Sequence, residues 1–116
     1  MPHRRPTPHG TLVEVPPLVG RRFGQQYPLG GGWGLRMSRP STVVREVEAR
    51  NHLGVPAMLF MHPWELDPDP PRVALPPTLR FSHYFRLAGS ATRLDEILSR
   101  APFGPIGPWV LSGGAA

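Results

Sequence analysis

The sequence predicts an α/β fold with proline- and glycine-rich loops. Three observations carry that prediction. Residues 40–51 have helical periodicity, with Val43, Val44 and Val47 on one side and Arg45, Glu46, Glu48 and Arg50 on the other. Residues 55–61 (Val55-Pro56-Ala57-Met58-Leu59-Phe60-Met61) are an apolar run without alternation. Such a run reads as a strand buried on both faces, as in a parallel sheet. A polar, proline-rich loop follows within one residue, and a second helical pattern follows the loop. Helix, buried strand, loop and helix in that order are a unit of α/β architecture.

Taken along the chain, residues 1–10 read as an irregular entry with three prolines, and Thr11 to Val15 as a short strand stopped by Pro16 and Pro17. Residues 18–29 hold Gly20, Gly24 and Pro28 and read as loop. Gly30, Gly31, Gly32 and Gly34 predict a tight turn that needs positive φ or close backbone approach. Ser38 or Ser41 is the expected cap of the first helix, Pro40 fits its first turn, and Gly54 its C-terminal stop. Asp67-Pro68-Asp69-Pro70 reads as a turn. The aromatic stretch Arg80 to Phe85 has no settled secondary structure. Ser90 or Thr92 is the expected cap of the helix Arg93 to Arg100, whose apolar stripe is Leu94, Ile97 and Leu98. Residues 111–116 are small and read as a frayed tail beyond a domain of residues 1–110.

The composition bounds the function. At 116 residues the chain is about one small domain, domains clustering near roughly 100–150 residues. A complete (β/α) barrel, at about 200 residues or more, is excluded. No stretch approaches the length and apolarity of a membrane span, and no apolar segment follows the basic start to make a signal peptide. There is no cysteine, so thiol and disulfide chemistry are excluded. The net charge is +5, and every one of the thirteen basic side chains is arginine. The arginines are scattered along the sequence and read as solvated surface, though the excess permits an acidic partner. No helix-turn-helix, zinc-finger or RNA-binding signature is present, so nucleic acid is not an expected partner.

The chemistry is expected at His62. In α/β folds functional groups gather where strands end, and His62 ends the apolar run. Pro63 restricts the backbone of His62 to extended conformations, which would hold the imidazole at the mouth of the sheet with Trp64 and Glu65 beside it. Histidine is the side chain best suited to exchange a proton near neutral pH. A metal site is weakly signalled: His62 and Glu65 are three apart on a proline-containing loop, and His83 lies 21 residues on. The glycine cluster lacks the spacing of a phosphate-binding loop, and no nucleophilic-serine motif occurs.

Several segments in order resemble a known family: Glu14-Val15-Pro16; Gly30-Gly31-Gly32 with Arg36; Leu59-Phe60-Met61-His62-Pro63-Trp64-Glu65-Leu66-Asp67-Pro68-Asp69-Pro70-Pro71-Arg72; Arg80-Phe81-Ser82-His83-Tyr84; and Phe103-Gly104-Pro105-Ile106. Together they resemble the carboxyl-terminal third of NodB-type polysaccharide deacetylases found with exosortase (PEP-CTERM) exopolysaccharide loci, from about Pro2 to about Ile106. The resemblance implies the last strands and helices of a deformed (β/α) barrel, so a partial-barrel fragment. It implies a hydrolase that removes acetyl groups from an amino-sugar polymer with the help of a divalent, zinc-like metal. His62 carries over as the general acid, and Trp64 as an aromatic wall of the sugar site. The implied partners are the polysaccharide and the missing amino-terminal part of the enzyme, in the bacterial cytoplasm.

The departures are as informative. The family's early aspartate pair and its HxxxH metal pair are missing, since the histidines stand at 3, 9, 52, 62 and 83. Arg4-Arg5-Pro6 matches the family's arginine–proline motif only by letters. No metal or other cofactor is therefore expected in this chain, and the sequence reads as the product of a truncated, split or mis-started gene, inactive alone. The alternative is a non-catalytic glycan- or protein-binding remnant using Trp33, Trp64, Tyr84 and the arginines.

Overall fold

The structure, a computed structural model, describes residues 2–113. It is a mixed α/β domain in which two antiparallel hairpins precede a helical body. The first hairpin pairs β1 (His3–Thr7) with β2 (Gly10–Glu14), Arg4 opposite Val13 and Thr7 opposite Gly10. The expectation of an irregular entry at residues 1–10 is thus corrected. Thr7 closes the turn, its Oγ1 accepting from the His9 N–H and donating to the Gly10 carbonyl. Pro6 is tolerated because β1 is an edge strand, where a missing N–H faces solvent.

The second hairpin pairs β3 (Val19–Arg22) with β4 (Gln25–Pro28) and overturns the reading of residues 18–29 as loop. Its two-residue turn is Phe23–Gly24, both with positive φ (50° and 78°). That mirror-image turn matches the right-handed twist of the paired strands. The strands escaped sequence reading because neither is rich in β-branched residues.

Helix α1 (Gly32–Met37) leads into α2 (Pro40–His52). Arg39, not Ser38 or Ser41, is the α2 N-cap, and no side chain caps it. Pro40 holds Arg39 extended, as a cap requires. At the other end the Gly54 N–H donates to the Asn51 carbonyl and the Val55 N–H to the Arg50 carbonyl. Gly54 has φ 69°. This is the Schellman termination that a glycine at that position anticipates.

The core gathers Leu18, Leu29, Leu35, Val43, Val44, Val47, Ile97 and Ala101, with Tyr27, Ala57, Leu59 and Met61 packed against it. Residues 55–61 are extended but do not form the buried strand expected. The Leu18 N–H donates to the Met58 carbonyl at 2.9 Å and the Phe60 N–H to the Gly30 carbonyl at 2.8 Å. The one bridge is the parallel pair Pro17–Met58. Side chains of the segment are half-buried, and Phe60 is 44% exposed. Burial on both faces needs a layer on each. Here the core covers one, and the other opens on an apolar cleft of about 780 Å³ that Leu98, Phe103 and Trp109 help to line. Among the described residues there is no parallel sheet and no closed barrel.

Three further helices complete the body: α3 (Pro77–Tyr84), α4 (Ser90–Arg100) and α5 (Ile106–Leu111). The stretch from Arg80, left without structure by its aromatic density, lies in α3. Ser90 does not cap α4: the short 3-10 turn Leu87–Gly89 delivers it already in helical φ/ψ, and its Oγ is buried without a partner. Leu111 belongs to α5 and not to a tail, while residues 114–116 lie outside the described residues. No helix among the described residues is long and apolar enough to cross a membrane.

Candidate active site

His62 stands at the end of the extended segment, where the chain turns into a 3-10 turn, Pro63–Leu66. Its side chain is 61% exposed on a cleft of about 510 Å³. Pro63, at the first position of the turn, both ends the extended run and fixes the turn's first φ. The turn then folds Glu65 back: the His62 N–H donates to Glu65 Oε2 at 3.0 Å, and His62 Nδ1 lies 3.3 Å from the same oxygen. The second carboxylate oxygen, Oε1, pairs with Arg36 Nη2 at 3.3 Å.

Glu65 and Arg36 are both only 3% exposed. A buried pair is costly unless its remaining donors and acceptors are satisfied. They are satisfied here. The Arg36 guanidinium also donates to the carbonyls of Gly32, Ser82, His83 and Phe85. Ser82 and His83 belong to the last turn of α3, whose final carbonyls have no partner within the helix, and Phe85 is its C-cap. Arg36 thus joins three parts of the chain: α1, the end of α3 and the His62 turn. Burial pushes the Arg36 guanidinium down from its ordinary value, and Glu65 opposes that shift. Gly32 makes room for the pair, because a Cβ there would overlap the Glu65 carboxylate. The glycine cluster therefore serves close approach at this point, not positive φ.

The aromatic walls are equally specific. Trp64 stacks on His83 with ring centroids 4.1 Å apart and planes 9° apart. The His62 ring lies 6.3 Å from that of Trp64, and Phe60 is edge-on to His62 at 5.8 Å. Trp33 and Trp64 both lie near the Arg36 guanidinium, at 5.6 and 5.8 Å. Trp64 is thus packed among His62, His83 and the Arg36 guanidinium.

Chemically, the arrangement holds an imidazole by its Nδ1. With the proton on Nδ1 donated to Glu65, the tautomer is set and Nε2 is left without a partner among the described residues. Arg36 neutralises the carboxylate from behind and keeps it in place. A metal does not fit: among the described residues no three His, Cys, Asp or Glu side chains come together in a way that could hold one.

A family model described as a domain of unknown function (DUF3473) matches residues 1–110. The chain belongs to that family. No curated protein and no solved structure matches the chain. Within this DUF3473 domain the structure brings His62 and Trp64 into one cleft, as adjacency requires, and adds Arg36, Glu65 and His83 to them. The sequence signals Glu65 and His83 only weakly, as candidate metal ligands, and gives Arg36 no role. A signal was present for Arg36, a lone charge in the apolar and glycine-rich stretch Gly30 to Met37. For the stacking of His83 on Trp64 no local signal exists, because the two are 19 positions apart in the chain.

Proposed function

We propose that this domain is the carboxyl-terminal part of a metal-dependent polysaccharide deacetylase, with His62 as general acid. The buried Arg36–Glu65 pair anchored on Nδ1 of an otherwise exposed histidine carries this reading. The resemblance of the His62–Arg72 and Arg80–Tyr84 stretches to the carboxyl-terminal third of such enzymes supports it. The reading includes an acetylated amino-sugar polymer as substrate, the metal-bearing remainder of the enzyme as partner, and the bacterial cytoplasm as compartment.

The carbon–nitrogen bond of an acetamide breaks only when its nitrogen can leave as a neutral amine. The protonated imidazole supplies that proton from Nε2. The neutral ring that remains keeps its Nδ1–H on Glu65, so the charge change is met by a carboxylate already in place. Trp64 and Phe60 flank the imidazole. The metal would be held by residues outside this chain.

In the enzyme assembled from this chain and its metal-bearing remainder, deacetylation of an N-acetylglucosamine oligomer tests the proposal. His62→Ala should lower kcat by roughly 10²–10⁴, the usual weight of general acid catalysis, with KM and metal content unchanged. Glu65→Gln should lower kcat in the same direction. An unchanged kcat in His62→Ala, or turnover by the 116-residue chain alone, would overturn it.

A further inference from the structure

We infer that the cleft between the β3–β4 hairpin and the α1–α2 junction binds an acidic oligosaccharide, a chain of carboxylate-bearing sugars. The inference goes beyond the deacetylase reading and does not rest on it, since it concerns different residues and is read by binding alone.

The cleft has a volume of about 810 Å³, within the roughly 300–1,000 Å³ common for ligand pockets. Four arginines line it: Arg21 and Arg22 from β3, Arg39 from the α2 N-cap and Arg45 from the next turn of α2. They are up to 24 positions apart in sequence, which is why the basic residues read as scattered; folding gathers them. No acidic side chain lines the cleft. Arg45 holds Glu46 at 3.2 Å in an exposed pair, of the kind that contributes little. The side chains of Arg21 and Arg39 make no hydrogen bond or ion pair among the described residues, so their guanidinium donors are available. Planar guanidinium is the group best matched to a carboxylate, which it takes in two parallel hydrogen bonds.

Two further features point to a sugar acid. The hairpin register sets Arg21 opposite Gln26 and Arg22 opposite Gln25. Consecutive rungs face opposite sides of the hairpin, and each sets a cation beside an amide that both donates and accepts, as a sugar offers a carboxylate beside hydroxyls. At the tip, Phe23 is 92% exposed and held at φ 50°, a conformation unfavourable for an aromatic residue. Arg22 lies over its ring at 5.2 Å. An exposed aromatic kept in a strained turn suits stacking on the apolar face of a pyranose better than it suits solvent. Nucleic acid is the other polyanion to weigh. A single strand is bound on a series of aromatic platforms along a groove, and this cleft has one at its rim and a half-buried Tyr27.

Calorimetric titration of the 116-residue chain with tetragalacturonate at low ionic strength tests the site. Binding that weakens with salt is expected. The double variant Arg21→Gln, Arg39→Gln should weaken it about tenfold or more, the scale of losing charge-assisted hydrogen bonds. Arg80→Gln, Arg86→Gln, which removes the same charge elsewhere, should leave affinity within about twofold. Circular dichroism reports that each variant is folded. Absence of binding at millimolar tetragalacturonate, equal binding of a neutral N-acetylglucosamine tetramer, tighter binding of single-stranded DNA, or equal loss in the Arg80/Arg86 variant would each overturn the inference.

Discussion

At the residue scale, Arg36 couples stability to the site. Its guanidinium pairs with buried Glu65 and serves carbonyls at the end of α3. Replacing it by Met keeps the aliphatic stem and removes the charge. Glu65 would then be buried without compensation and the α3 carbonyls would lose their donors. Breaking a buried pair on one side costs about 3–5 kcal/mol, and urea denaturation of Arg36→Met should show a loss of that order. A loss below about 1 kcal/mol would mean that water replaces the guanidinium easily, and that Glu65 is not anchored as the geometry implies. Neither Arg36 nor Glu65 could be assigned from sequence. A single charged residue beside an apolar one does not reveal a partner 29 positions away, and burial decides whether such a pair forms.

At the element scale, α2 is the most legible piece. Its valines face the core, Pro40 opens it and Gly54 closes it, all read from local chemistry. Gly54→Ala puts a Cβ on a residue with φ 69°, and the left-handed conformation costs about 1–2 kcal/mol for a residue with a side chain. Thermal unfolding should report that loss. Gly107→Ala in α5 is the contrasting case: its backbone is not left-handed and its Cβ would meet open space. It should leave stability unchanged or raise it slightly. A similar loss in both variants would mean that the Schellman end of α2 is not what Gly54 supports. The 55–61 segment shows the limit of the same logic. Apolarity correctly marks it as a segment to be covered, but whether it becomes a strand depends on partners. Beyond the Arg50 carbonyl at its start, its backbone contacts among the described residues come from Pro17, Leu18 and Gly30.

At the scale of the whole molecule, the domain gathers His62, Glu65 and Arg36 in one cleft, and among the described residues no three His, Cys, Asp or Glu side chains come together to hold a metal. Titration of the 116-residue chain with Zn²⁺, Co²⁺ or Ni²⁺ should show no stoichiometric site of sub-micromolar affinity. A tight site would direct attention to His62, Glu65 and His83, and would require Nδ1 of His62 to exchange Glu65 for the ion. Under the proposed function, this domain supplies the acid, and the metal and base come from elsewhere in the enzyme. A (β/α) barrel remains part of that proposal, because the described residues form two hairpins and a helical body and no closed sheet.

The sequence by itself determined what depends on near neighbours. Helix α2 and its end, most of α4, the turn at Asp67, where the Asp69 N–H donates to Asp67 Oδ1, and the position of His62 at a break in apolarity all follow from residues within a few positions of each other. Tertiary structure alone decided the rest. The pairing of β1 with the strand read near Thr11–Val15, the hairpin at 19–28, helix α3, the stacking of His83 on Trp64 and the gathering of four arginines around one cleft depend on which groups meet, and the residue pattern alone does not show it. Local patterns report which atoms must leave water. They do not report which distant atoms will meet them, because that choice is made by packing the whole chain at once.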